Sequence, residues 1–94
     1  MKLRLDPDAA QALRAMAPVP RRRMKDALAK VAVDASGRTG RLDVKQLASN
    51  APWPAFRLAV GDWRAAWFIR DGTVQVLRVF HRSEGYSWLE RLYP

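Results

Sequence analysis

The stretch Ala55 to Tyr86, AFRLAVGDWRAAWFIRDGTVQVLRVFHRSEGY, carries the chain's clearest strand and turn signals. Asp71-Gly72 is a strong two-residue hairpin signal, because both central residues of a type I′ turn need positive φ. Gly61-Asp62 is a second, with Gly at the first central position that a type II′ turn prefers. Two turns predict three consecutive antiparallel strands. With Gly61-Asp62 as the loop, Val60 faces Trp63, Leu58 faces Ala65, Ala59 faces Arg64 and Arg57 faces Ala66. With Asp71-Gly72 as the loop, Arg70 faces Thr73, Ala66 faces Leu77 and Arg64 faces Val79.

Paired residues share a face. One face is predicted to carry Phe56, Leu58, Val60, Trp63, Ala65, Trp67, Ile69, Val74, Val76, Arg78 and Phe80. It is apolar but for one Arg, as a sheet packed against helices requires. The other carries Arg57, Ala59, Arg64, Ala66, Phe68, Gln75, Leu77, Val79 and His81. On it Arg57 and Arg64 are diagonal neighbours, roughly 7–8 Å apart at the backbone, close enough for both guanidinium groups to converge on one anion. His81 ends the third strand on this predicted face, and Arg82 and Tyr86 follow in the loop beyond it. Taken singly, each is more often a solvated strand position or a packing residue. Their convergence at one end of one sheet is what points to a site.

Upstream, Lys2 to Leu5 alternates polar and apolar and predicts a short first strand. Asp6 is placed as an N-cap, Pro7 as a first helical residue and Asp8 as first-turn negative charge. Ala9, Ala10, Leu13, Met16 and Ala17 make an apolar stripe until Pro18 and Pro20 stop it. A second amphipathic helix is predicted from about Val19 to Val33 on the spacing of Met24, Ala27, Leu28 and Val31. Ala35 to Asn50 reads as loop, with Val44 to Leu47 a short extended or helical piece and Leu47 covering the sheet edge. Ser87 to Leu92 reads as a last helical turn or two, or as coil, folding Trp88 and Leu89 or Leu92 back on the sheet.

Ninety-four residues make one domain with a single core. The net charge of +8 calls for an anionic partner: RNA, DNA, an acidic protein or an anionic membrane surface. The absence of cysteine excludes disulfides and thiol catalysis, and a single His excludes a multi-histidine metal site. There is no apolar run of signal-peptide or membrane-spanning type, so cytoplasm is the expected location. The Arg21-Arg22-Arg23 cluster opposes the macrodipole in a first helical turn, a mild local cost that hints at an anion.

The predicted order β-α-α-β-β-β, with FRLAVGDWRAAWFI followed by DGTVQVLRVFHRSEGY, closely resembles the RelE/ParE superfamily of bacterial toxin–antitoxin toxins. The shared pattern is an aromatic-Arg-hydrophobic start, a Val-Gly-Asp-aromatic-Arg turn, a hydrophobic strand, a hairpin and a closing His-Arg-x-x-x-Tyr. With Val44 to Leu47 it covers nearly the whole chain. The resemblance implies an α+β fold: a twisted antiparallel sheet with two N-terminal helices on one face and a basic cleft on the other. It implies a cognate antitoxin as partner and, for the RelE-like branch, a ribosome-dependent endoribonuclease that cuts messenger RNA with no metal or other cofactor. Carried over by position, the catalytic group is Arg57, Arg64, Arg82 and Tyr86, with His81 beside them. Where some RelE toxins carry a second basic residue on this strand, the chain has Ala59.

Cleavage of RNA without a metal needs a base for the 2′-hydroxyl proton, an acid for the leaving 5′-oxygen, and cations for the phosphate. Arginine forks suit the last task, so Arg57 and Arg64 are expected there. Tyr86 is the base that the resemblance implies, although a free phenol titrates near pH ~10 and needs nearby cations. His81 is a more ordinary acid or base, or a strand-end residue hydrogen-bonded to backbone. Lys45 is a candidate to face the same anion, and Phe68 and Tyr86 to stack on bases. Two rivals remain open: a ParE-like inhibitor of DNA gyrase, and a nucleic-acid-binding relative without activity.

Overall fold

The structure, a computed structural model describing residues 1–94, contains one five-stranded sheet and three α-helices. Strand β1 (Lys2–Leu5) leads into α1 (Pro7–Ala15) and α2 (Pro18–Val33). Strands β2 (Asp43–Leu47), β3 (Ala55–Val60), β4 (Trp63–Arg70) and β5 (Thr73–His81) follow. A 3₁₀ turn (Arg82–Glu84) and α3 (Ser87–Leu92) close the chain. The strand order is β1-β5-β4-β3-β2, antiparallel except that β1 runs parallel to β5.

The first three elements form where the local signals place them. Pro18 and Pro20 both lie inside the first turn of α2, where a proline has no hydrogen bond to lose and its φ is already helical. Asp6 sits at the N-cap of α1, but its carboxylate does not cap. It accepts a hydrogen bond from the Gln75 side chain and so ties the β1–α1 junction to β5. Met24, Ala27, Leu28 and Val31 of α2 are all buried. They meet Leu58, Ala65, Trp67, Val74, Val76 and Val79 of the sheet in the main core, beside Ala9, Leu13 and Met16. Burying each of the larger side chains contributes about 1.5–3 kcal/mol.

Val44 to Leu47, expected as a short extended or helical piece, is the greater part of a full edge strand. β2 pairs with β3 from Asp43↔Ala59 to Leu47↔Ala55. The preceding loop is tightly built. Asp34 accepts hydrogen bonds from the Ser36 and Thr39 backbone N–H groups and from the Ser36 hydroxyl at 2.6 Å, and these bonds hold its carboxyl well below the usual carboxylate range.

The β3–β4 register is the predicted one, residue for residue. The β4–β5 register starts as predicted at Arg70↔Thr73 and then breaks. A β-bulge places Val76 opposite Trp67 but Arg78 opposite Ala66, with Leu77 as the extra residue. Beyond it the faces of β5 exchange. Val79 pairs with Ala65 and joins the helix-side core, whereas Phe80 pairs with Arg64 and joins a second cluster on the far side. That cluster, Ala55, Ala66, Phe68, Phe80, Trp88 and Leu89, is roofed by α3. The C-terminal segment is therefore a helix, and it is Leu89, not Leu92, that folds inward.

The loop before β2 supplies a test of this packing. Gly37 has φ +77° and is pressed against the sheet edge, so that an added Cβ would lie 2.6 Å from Val44 Cγ2. Gly72 has φ +70° and open space around it. Gly72→Ala is expected to cost about 1 kcal/mol, the left-handed penalty alone. Gly37→Ala adds overpacking to that penalty and should cost roughly 2–4 kcal/mol. Urea unfolding of the two variants checks the difference, and equal midpoints would show that the loop does not press on β2.

Candidate functional site

The far face of the sheet is organised in cross-strand rows. One row runs Lys45, Arg57, Ala66, Arg78, and the next runs Asp43, Ala59, Arg64, Phe80. Arg57 and Arg64 are diagonal neighbours across β3 and β4, as the sequence predicts. Lys45, exposed, is the direct partner of Arg57. Three cations thus share the end of the face that α3 leaves uncovered.

Each arginine is held. The Arg57 side chain is only 14% exposed, and its Nη1 lies 3.0 Å from Asp43 Oδ1 while donating to the Asp43 carbonyl at 3.1 Å. Arg64 curls back over the β3–β4 turn, where its Nη1 donates to Gly61 O at 2.8 Å and Trp63 O at 2.9 Å. Arg82 is tied to the same turn. Its Nε lies 3.3 Å from Asp62 Oδ1 and its backbone N–H donates to Asp62 O at 2.8 Å. The Gly61-Asp62 turn thus anchors two arginines from different parts of the chain.

Tyr86 immediately precedes α3, half-buried, with its ring edge-on to Phe80 at 5.3 Å. Phe80 is the cross-strand partner of Arg64. The tyrosine is therefore carried to the arginine row by a single packed ring, and Gly85 in the left-handed region makes the turn that brings it there.

Two expected members of the site lie elsewhere. His81, expected on the cationic face, pairs with Trp63 and packs edge-on to its ring at 5.5 Å on the helix side of the sheet. The cause is the bulge at Leu77, which shifts every later residue of β5 by one. The imidazole caps the 3₁₀ turn: Nδ1 accepts from the Ser83 N–H at 3.3 Å and lies 2.9 Å from the Ser83 hydroxyl, while the Glu84 carboxylate accepts from the His81 N–H at 2.8 Å. Phe68 is on the expected face but 4% exposed, packed between Trp53 at 5.6 Å and Tyr93 at 5.5 Å beneath α3. With both of its neighbours in place no face of the ring is open to a base.

Residues not anticipated in the sequence complete the site. Asp43 and Asp62 are the counter-ions of Arg57 and Arg82. Reading Asp43-Val44-Lys45-Gln46-Leu47 as a strand antiparallel to β3 would have found the first. Arg78, the one cation in the predicted apolar face, leaves that face at the bulge, lies over Trp88 at 5.2 Å and reaches Asp8 of α1 at 3.8 Å. It links the helix layer to the roof of the second cluster.

No family model and no curated protein matches the sequence. Solved structures do match in fold. The RelE–RelB complex from Pyrococcus horikoshii matches with a TM-score of 0.71 at 16% identity, covering 89% of this chain and 97% of that chain. The isolated Escherichia coli RelE toxin matches with a TM-score of 0.68 at 16% identity, covering 97% of this chain and 94% of that one. The RelBE2 toxin–antitoxin complex from Mycobacterium tuberculosis matches with a TM-score of 0.56 at 28% identity, covering 86% and 96%. The chain has the fold of the RelE toxins.

Proposed function

We propose that the chain is the toxin of a toxin–antitoxin pair and that it acts as a ribosome-dependent, metal-independent endoribonuclease on messenger RNA. The observation that carries this reading is the anchored pair Arg57 and Arg64, diagonal on one sheet face beside Lys45, in a fold shared with RelE toxins. Like charges on neighbouring strand positions repel, and an anion bound between them relieves that repulsion. A phosphodiester supplies one, and two guanidinium forks grip it most strongly when its charge rises in the transition state.

In this reading a messenger RNA phosphate sits over Ala59, whose small side chain leaves room between Arg57 and Arg64. The 2′-oxygen attacks phosphorus as its proton passes to the Tyr86 oxygen, the bond to the 5′-oxygen breaks, and the 5′-oxygen takes up a proton from water, leaving a 2′,3′-cyclic phosphate and a 5′-hydroxyl. Arg82 and Arg64, both fastened to the Gly61-Asp62 turn, supply positive charge for the phosphate as its own charge rises. His81 takes no part, because it faces the helices. The antitoxin partner is supported by the complexes among the matched structures. An acidic or amphipathic segment suits a chain of charge +8. The work belongs in the cytoplasm, where ribosomes are.

Cleavage of A-site messenger RNA on programmed ribosomes tests the reading. Arg64→Ala and Tyr86→Phe are each expected to slow cleavage by roughly a hundredfold or more, the scale for losing a transition-state contact. His81→Ala should change the rate by only about two- to threefold, through the local cap. If the native chain leaves messenger RNA intact, the nuclease reading fails and DNA gyrase supercoiling becomes the informative assay.

A further inference from the structure

Asp43 stands out among the groups around the cationic face, because it is the only carboxylate in the two cross-strand rows that hold Lys45, Arg57 and Arg64. It lies opposite Ala59, one row from Arg57, and is 58% exposed. Its carboxylate and its own backbone carbonyl both engage the same nitrogen, Arg57 Nη1, at 3.0 and 3.1 Å. Nη1 thus makes a hydrogen bond to the Asp43 carbonyl and an ion-pair contact with its carboxylate, while Nη2 and Nε make no hydrogen bond within the chain.

We infer that Asp43 is the positioning residue of Arg57, locking its guanidinium through Nη1 so that the Nη2 and Nε edge is kept for a phosphate. The inference rests on the proposed function for its phosphate but not for its geometry. A long side chain on a strand otherwise samples several rotamers, and ordering it as the transition state forms costs free energy. Asp43 orders it beforehand. The same carboxylate offsets the repulsion between Lys45 and Arg57, which sit directly opposite each other on β2 and β3. It can do so because residue 59 is alanine, so that no long side chain stands in the row between Asp43 and Arg64.

Two readouts decide it. In the free protein, nitrogen NMR of the Arg57 side chain should show slow rotation about Nε–Cζ, with the two Nη signals resolved; Asp43→Ala should average them, and Asp43→Glu should restore the split. On programmed ribosomes Asp43→Ala should lower kcat by roughly ten- to a hundredfold, the scale for a misplaced contact. KM should stay within about twofold, since a transition-state contact is lost and not ground-state binding. Asp43→Glu should recover most of the rate, and adding Asp43→Ala to Arg57→Ala should slow it no further, because one residue acts through the other. Averaged Arg57 signals in the native chain overturn the inference, and so do independent effects in the double variant. If the native chain does not cut, the nuclease reading has failed, and the NMR comparison still decides whether Asp43 holds Arg57.

Discussion

A single extra residue in β5, Leu77 at the bulge where Arg78 takes the place opposite Ala66, sets the direction of every side chain after it. A strand that kept strict alternation would send Phe80 toward α1 and α2 and leave Val79 and His81 on the cationic face. With the bulge, Val79 fills the helix-side core and Phe80 floors the second cluster, where it receives Trp88 at 5.7 Å and Tyr86 at 5.3 Å. The seating of α3 and the place of Tyr86 both follow from this. A bulge also re-aims side chains and strengthens local twist, which is why such features occur beside sites. Here it carries Arg78 out of the apolar layer to a position over Trp88 and within reach of Asp8.

The sheet then has two unequal outer faces. One is sealed by α1 and α2 over its length. The other is sealed only where α3 lies, and its remaining end shows Lys45, Arg57 and Arg64. Those charges are not loose. Arg57, Arg64 and Arg82 each have partners within the chain: a carboxylate on the edge strand, two carbonyls of the β3–β4 turn and a carboxylate in that turn. The exposed Arg82–Asp62 pair contributes little stability, about 0–1 kcal/mol. On the proposed function the consequence of the three contacts is geometric: they set where the guanidinium groups stand before any anion arrives.

Much of this was legible in the sequence because it depends on local signals. Gly61-Asp62 and Asp71-Gly72 give two turns, and counting from the first reproduces the β3–β4 register and the Arg57–Arg64 diagonal. Counting from the second works only as far as the bulge, and no glycine or proline near Leu77 marks the extra residue. The one internal sign was the lone Arg78 in an otherwise apolar face, which tertiary packing resolves by moving it across. β2 was legible only in part, since its alternation is short and its pairing partner is distant from it in space until the chain folds. Asp43 went unseen for that reason, and Phe68 was read as open because the roof over it, α3, is a short helix whose docking no local pattern announces.

On the proposed function the RNA lies on the Ala59 face and not on the helix face. A photo-crosslinking side chain at the exposed position 45, beside Arg57, samples the first, and one at the exposed Val19 of α2 samples the second. On programmed ribosomes, position 45 should label A-site messenger RNA and position 19 should leave it unlabelled. Labelling from position 19 with none from position 45 would mean that the RNA lies on the helices instead.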